Sequence, residues 1–319
     1  MLRILFERAR AVFRSRELFQ NWLSASIRYV IINPRVLYRR LPNLMGALGK
    51  DCINVNCKSG GKVCIDPALY GLIIRHYDQG FIHDIRCDET HNALIINGLM
   101  IKLKYNGDYF DLGSAKFKRM YSTIIQVFIE QDYSFVNVSG RVVVDVGAFI
   151  GDSAIYFVLR GARRVFAVEP HPGAYAEMLE NIKLNNMEDR IIPINAALGS
   201  NPGKTRISRS IDTSNTEGVY YGLGINGDIE VPMITLSQLI RDYDIKPDVL
   251  KMDCEGCEFD IILNDYEHVR LFKELIFEYH EGNDRRLTDL LNKLSNDYRC
   301  DYKYNEGPVG IVHCVKLNL

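Results

Sequence analysis

A chain of 319 residues, 47% of them hydrophobic, is long enough to build one large domain and a smaller one, each around its own core. A net charge of −1 argues against general affinity for nucleic acid, and no stretch approaches the roughly 20 apolar residues needed to span a bilayer. Arg3, Arg8, Arg10 and Arg14 interrupt the start where a signal peptide needs an apolar core, so the chain is expected to be cytoplasmic.

Residues 1–40 form a basic arm with nine arginines, no lysine and two glutamates. Over residues 1–30 the pattern is helical, with Leu2, Leu5, Phe6, Ala9, Val12 and Phe13 on one face and arginines over much of the remainder. Such a helix suits peripheral contact with an anionic membrane or packing against another domain. Glu7, Ser15, Glu17 and Gln20 dilute the basic face and favour packing.

Residues 41–117 read as a small α+β module of unassigned role. Strand candidates at Lys62–Ile65, Ala93–Ile96 and 100–105 are separated by turns such as Asn97-Gly98 and Asn106-Gly107, and Asn-Gly between apolar runs is a hairpin signature. The eight cysteines, at 52, 57, 64, 87, 254, 257, 300 and 314, lack the spacing of a secreted disulfide framework and are expected to be core or turn thiols. Cys254-x-x-Cys257 has no second pair of matching spacing, so neither a zinc nor a redox role is assigned to it.

The main domain is expected over residues 118–319. At 142–151, Val-Val-Val-Asp-Val-Gly-Ala-Phe-Ile-Gly, a buried apolar strand stops at Asp145 and enters a glycine turn framed by Gly147 and Gly151. Glycine allows a sharp bend, close approach to a ligand and tight packing of the following helix. The spacing is not Gly-x-Gly-x-x-Gly, and Asp145 would place negative charge near a pyrophosphate, so the turn suits a ligand with a positive end better than a dinucleotide. S-adenosylmethionine has an ammonium, a sulfonium and a ribose with two free hydroxyls. A second strand, Arg164–Val168, ends at Glu169, whose carboxylate is placed to accept both hydroxyls.

Strands and helices then alternate, which implies a doubly wound, mostly parallel α/β sheet. A helix at 173–184 is followed by a third strand at 191–196, which brings Asn195 and Ala196 beside the adenine. Residues 200–232 are rich in Gly, Ser, Thr and Asn around short extended pieces at 205–208 and 229–231, the composition of a flexible lid. Thr235 caps a helix at 236–243. A fourth strand, Val249–Met252, presents Asp253 and Glu255, and a fifth at 275–277 runs into Glu278-Tyr279-His280-Glu281. Ligands of open α/β sheets sit outside the carboxyl ends of the strands, so these residues converge.

The chain resembles the FkbM family of S-adenosylmethionine-dependent methyltransferases. The matching pieces are Val-Val-Asp-Val-Gly-Ala-Phe-Ile-Gly-Asp (143–152), Arg-Val-Phe-Ala-Val-Glu-Pro-His-Pro (164–172), Glu-Asn-Ile-Lys-Leu-Asn (180–185), Asn-Ala-Ala-Leu-Gly (195–199) and Leu-Lys-Met-Asp-Cys-Glu-Gly-Cys-Glu (250–258), in the family's order. The last is the most specific, and the resemblance covers about residues 118–319. It implies a Rossmann-like class I methyltransferase sheet, S-adenosylmethionine as cofactor, and O-methylation of a sugar or glycan hydroxyl.

Methyl transfer from a sulfonium needs alignment and, for a hydroxyl acceptor, a base. The candidates are His280, Asp253 and Glu255, with Asp253 the alternative holder of the cofactor's amino group. Asp253, Glu255 and Glu278 could take a hard divalent ion, but three scattered acids do not define a metal site and none is claimed. The competing readings are an RNA methyltransferase anchored by the basic arm, a cofactor-binding scaffold without catalysis, and an NAD-dependent oxidoreductase. The chain has no amine-methylation Asn-Pro-Pro-Tyr or Asp-Pro-Pro-Tyr motif and no recognisable RNA-binding module. Both cofactor acids and the 253–258 block are intact, and Asp145 with its glycine spacing disfavours NAD.

Overall fold

The computed structural model describes residues 2–32, 52–103, 109–208, 227–282, 285–305 and 308–317. The chain separates into two units, Met1–Glu130 and Gln131–Leu319.

In the first unit, α1 (Leu2–Arg14) and α2 (Trp22–Ile32) precede the antiparallel hairpin β1 (Ile53–Asn56) and β2 (Lys62–Ile65). Helix α3 (Pro67–Gln79) follows, and was not among the expected elements. Five strands then form an antiparallel meander: β3 (Ile85–Asp88), β4 (Ala93–Ile96), β5 (Leu99–Lys102), β6 (Phe110–Asp111) and β7 (Lys116–Phe117). The β4–β5 turn is Asn97-Gly98, both at positive φ as a two-residue hairpin turn requires. The second expected turn, Asn106-Gly107, lies outside the described residues.

The unit extends past the expected break near 118. Phe117 meets Phe128 edge-on at 5.5 Å, and Glu130 Oε1 lies 2.7 Å from Nδ1 of buried His76. The arm belongs to this unit: Arg10 donates to both carboxylate oxygens of Asp78 on α3 at 2.9 and 3.0 Å, and Arg14 donates to the Asp78 carbonyl. Arginines, with buried Ala11 and Ser15, thus make the packing side of α1, while Phe6, Ala9 and Phe13 are exposed. Of the expected apolar face, Phe6, Ala9 and Phe13 thus face solvent, while Val12 is half-buried.

The second unit runs β8 (Val142–Val146), α4 (Asp152–Leu159), β9 (Arg164–Val168), α5 (Pro172–Leu184), β10 (Ile191–Ile194), β11 (Ala197–Leu198), β12 (Gly203–Ile207), β13 (Ile229–Ile234), α6 (Leu236–Asp242), β14 (Val249–Met252), α7 (Cys257–Asn264), α8 (Tyr266–Val269), β15 (Glu274–His280), α9 (Leu287–Leu294), β16 (Tyr298–Asn305) and β17 (Val309–Lys316). Its sheet has the order β10-β9-β8-β14-β15-β17-β16, parallel through β15 and antiparallel from there to β16. The winding direction reverses between β8 and β14, which is the switch point where such sheets bind ligands. On one face, Val142, Val144, Val146, Leu250, Met252, Leu275 and Phe277 pack under Phe259, Ile262, Leu290 and Leu294. Thr235 starts α6 with the expected cap, its side chain accepting from Gln238 N at 3.1 Å while Gln238 returns a bond to Thr235 N.

Where a lid was expected, β12 and β13 pair antiparallel and β11 joins β13. The flanks of that insertion are therefore ordered strands, and its middle, 209–226, lies outside the described residues.

The expectation of free thiols is overturned. The cysteines pair as Cys52–Cys64, Cys57–Cys87, Cys254–Cys257 and Cys300–Cys314, and none remains free. Spacing concealed this, because pairing depends on strand neighbours: Cys300 and Cys314 stand opposite each other on β16 and β17. Denatured without reductant, the chain is expected to titrate no thiols with a thiol reagent, and all eight after reduction. Eight reactive thiols in the unreduced protein would contradict the pairing.

Candidate functional site

Asp145 and Lys251 are register partners on the adjacent parallel strands β8 and β14. Lys251 Nζ lies 2.9 Å from Asp145 Oδ1 and donates to the Gly147 carbonyl at 3.1 Å, while Ser153 Oγ donates to Asp145 Oδ2 at 2.7 Å. Burial alone would lower the lysine's pKa, but Asp145 and then Asp253 outweigh it and hold the ammonium above its ordinary value. Asp145 is 0% exposed. Expected to meet a cofactor ammonium, Asp145 is here buried against Lys251 and Ser153, which ties it to β14 and to the start of α4.

Gly147, at φ +75°, is obligatory for a protein contact, since a Cβ there would lie 1.8 Å from the Asp253 carbonyl oxygen. Gly151, at φ +82°, would press a Cβ to 2.9 Å from Met178 Cγ. Both glycines thus make close approaches within the protein, to β14's end and to α5.

Glu169 stands at the end of β9 as expected. Its Oε1 accepts His171 N at 2.7 Å and its Oε2 accepts Phe149 N at 2.9 Å, which ties the glycine turn to β9. It is 1% exposed, and burial pushes its pKa to about 8 against those two backbone donors and Lys251. Asn195 Nδ2 donates to the carbonyls of Glu169 and Pro170 at 2.8 and 3.2 Å, so it braces the same corner; Ala196 is buried beside it.

The fourth and fifth strand ends bring Asp253, Glu255, Glu258, Glu278 and His280 together. His280 Nε2 lies 3.3 Å from Glu255 and 3.9 Å from Glu278, and Nδ1 lies 3.5 Å from Glu258. Fully buried Glu258 also accepts from Gly256 N and His280 N, tying the turn to β15. Glu255 sits at φ +59°, a conformation costly for a residue with a side chain and one that aims it at His280. Burial opposes the charging of His280, but Glu258, Glu255, Asp253 and Glu278 outweigh it and raise its pKa to about 10. For Glu255, burial dominates over the attraction of His280 and lifts the carboxyl to about 7. A pKa raised to about 10 favours the imidazolium at neutral pH, against the expected role of His280 as base.

Two residues here escaped the sequence reading. Lys251 is visible in retrospect as a lysine inside an otherwise apolar strand. Buried Tyr133 donates from its hydroxyl to Asp253 Oδ2 at 3.3 Å, and burial with the Asp253 charge keeps the phenol protonated. Its place beside Asp253 follows from a contact between residues 120 positions apart, with no local motif. Asp253 has a 28% exposed side chain, and Glu255 and Glu278 at the same corner are also partly open. One ligand atom each from Asp253, Glu278 and His280 lie within 4.8 Å of one another, close enough to hold a metal ion.

A doubly wound sheet with a glycine turn at its switch point, an acid closing the second strand and an acid-rich fourth strand end defines a class I methyltransferase architecture. The match is more particular than that: the methyltransferase FkbM domain matches residues 145–304, half of the chain, and the chain belongs to this family. The hexuronic acid methyltransferase AglP of Haloferax volcanii is 28% identical over 157 residues, 48% of this chain and 63% of that protein. A tRNA (guanine(37)-N(1))-methyltransferase of Batrachochytrium dendrobatidis is 25% identical over 166 residues, 50% of this chain and 32% of that protein. The crystal structure of an FkbM methyltransferase from Methylobacillus flagellatus is 21% identical, with a TM-score of 0.42, and the likeness covers 62% of this chain and 48% of that one. The chain spans less than two thirds of the length of each of these proteins.

Proposed function

We propose that this protein is an S-adenosylmethionine-dependent O-methyltransferase whose acceptor is a sugar or glycan hydroxyl. The observation that carries the reading is the acid constellation at the strand ends. Glu169 closes β9 where a ribose would be held and uses one lone pair of each oxygen on backbone amides, leaving others for hydroxyl donors. Asp253, half-buried and adjacent to the glycine turn, suits the ammonium better than fully buried Asp145. This donor set fits the cofactor, which when bound supplies an electrophilic methyl carbon on a sulfonium. Gly147, Gly151, Asn195 and Ala196 shape the corner between these acids.

Glu255 takes the proton from the acceptor hydroxyl, and the His280 imidazolium beside it stabilises the carboxylate beforehand. Tyr133 and Lys251 orient Asp253. No metal is given a part in this reading, although Asp253, Glu278 and His280 stand close enough together to hold one.

An RNA acceptor is favoured by the tRNA methyltransferase relative but opposed by the site. Asp253, Glu255 and Glu278 would repel phosphates at the acceptor edge, whereas a hydroxyl-bearing sugar meets the hydrogen-bonding groups it needs. AglP acts on a hexuronic acid by its name, which supports a sugar acceptor, with any uronate carboxylate held away from these acids. The pairing of all eight cysteines favours an oxidising compartment over the expected cytoplasm.

Calorimetry is expected to show binding of S-adenosylmethionine and S-adenosylhomocysteine, with NAD not bound. Glu169→Gln should weaken binding by about 0.5 to 1.5 kcal/mol at neutral pH through loss of a hydrogen bond to the ribose, since burial holds this carboxyl up to about 8. NAD binding of comparable strength would overturn the cofactor reading, and methylation of tRNA in preference to uronic acid or neutral sugar acceptors would overturn the acceptor.

A further inference from the structure

Helices α1 and α2 both pack on α3, and both present apolar side chains on the opposite side. On α1 the packing side is built from Arg10, Ala11, Arg14 and Ser15, with Asp78 neutralised between the two arginines. On α2 it is Ala25 and Ser26, whose hydroxyl lies 2.7 Å from that of Tyr70 on α3. The outward stripe of α1 includes Phe6, 70% exposed, and Phe13, 50% exposed; that of α2 includes Leu23 and Ile27 at 56% and 52%. Positions 6, 9 and 13, like 23, 27 and 30, follow helical spacing, so each set lies on one side of its helix. Phe13 meets Trp22 edge-on at 6.1 Å, joining the two stripes.

A soluble helix normally turns such a stripe inward. Here the polar side packs and the apolar side is presented, and arginines border it. Arg8 and Arg16 are exposed, and the Arg16 guanidinium sits 3.9 Å from the Phe13 ring centroid. We propose that α1 and α2 form a docking face for the surface of an anionic phospholipid bilayer, with Phe6, Phe13, Leu23 and Ile27 entering the acyl boundary and Arg8 and Arg16 meeting headgroups. No helix among the described residues is long and apolar enough to cross a membrane, so the face lies in the interface plane. Charge selects this occupant over a second copy of the chain. Exposed Arg8 and Arg16 border the stripe, so two such faces would bring like charges together, whereas anionic headgroups attract them.

The test is sedimentation of the full chain with vesicles of phosphatidylcholine alone or phosphatidylcholine mixed with phosphatidylglycerol. Binding is expected only to the anionic vesicles and should weaken as salt is raised. Arg8→Ala and Arg16→Ala should each weaken it about fivefold, and the Phe6→Ser/Phe13→Ser variant at least about tenfold. Because these side chains are exposed, all variants should keep the wild-type melting temperature. Deleting the arm would be uninformative, since Arg10 and Arg14 hold Asp78. Equal binding to both vesicle types, no binding to either, or binding unaffected by the variants would overturn the proposal. So would a concentration-dependent dimer abolished by Phe6→Ser/Phe13→Ser, which would assign the face to a second copy.

Discussion

Lys251→Met is expected to destabilise the second unit by roughly 3 to 5 kcal/mol, because it leaves the buried Asp145 carboxylate with Ser153 but no counter-charge in the middle of the sheet. For a unit of this size, that corresponds to a fall in melting temperature of about 6 to 20 °C. Methionine nearly matches the lysine in volume, so the loss reports charge rather than packing. The double variant Lys251→Met/Asp145→Asn is expected to recover much of the stability, since neutralising both members removes the uncompensated charge. Cofactor affinity should not recover with it, because Lys251 also holds the Gly147 carbonyl and stands 4.0 Å from Asp253. Thermal unfolding of the three proteins, with calorimetric titration of S-adenosylhomocysteine, decides the matter. A single variant that loses less than about 1 kcal/mol, or a double variant no better than the single, would mean that the pair does not carry the turn.

The sheet was legible because its central strands are apolar on both faces and end on an acid or glycine. Val142–Val146, Arg164–Val168 and Val249–Met252 fall where the pattern placed them. The last two strands were not legible: Tyr298–Asn305 carries charged and aromatic residues without a clean apolar run, and pairs only because β17 lies between it and β15. The strand-end placement of the candidate residues was legible, since position at a strand end follows from topology. Their burial and neighbours were not, because these depend on side chains brought in from other strands. Asp145 and Glu169 share a motif logic, yet both are sealed, and what Asp145 faces is a lysine on the next strand. The arm misled for the opposite reason: amphipathicity says which face is apolar, and only the Arg10 and Arg14 bonds to Asp78 say which face packs.

The protonation states of Glu255 and His280 give the reaction its expected pH dependence. Glu255 must be a carboxylate to take the acceptor proton, and its carboxyl is raised to about 7 by burial, so kcat/KM should climb as pH rises through about 7. His280 remains an imidazolium until about 10, and loss of its charge leaves Glu255 among Asp253, Glu258 and Glu278 without a cation, so activity should decline near there. A neutral imidazole base would instead give an acid limb near its ordinary value of about 6.5. The variants separate the two mechanisms. Glu255→Gln should lower turnover by roughly 10² to 10⁴ while sparing S-adenosylhomocysteine affinity, the usual contribution of a positioned base. His280→Ala should keep measurable turnover, but with its acid limb moved to higher pH, because removing the cation makes the Glu255 carboxylate harder to form. Single-turnover rates on a sugar acceptor across pH provide the readout, with a chelator expected to leave them unchanged. If His280→Ala abolishes turnover at every pH while Glu255→Gln keeps it, proton removal belongs to the imidazole after all.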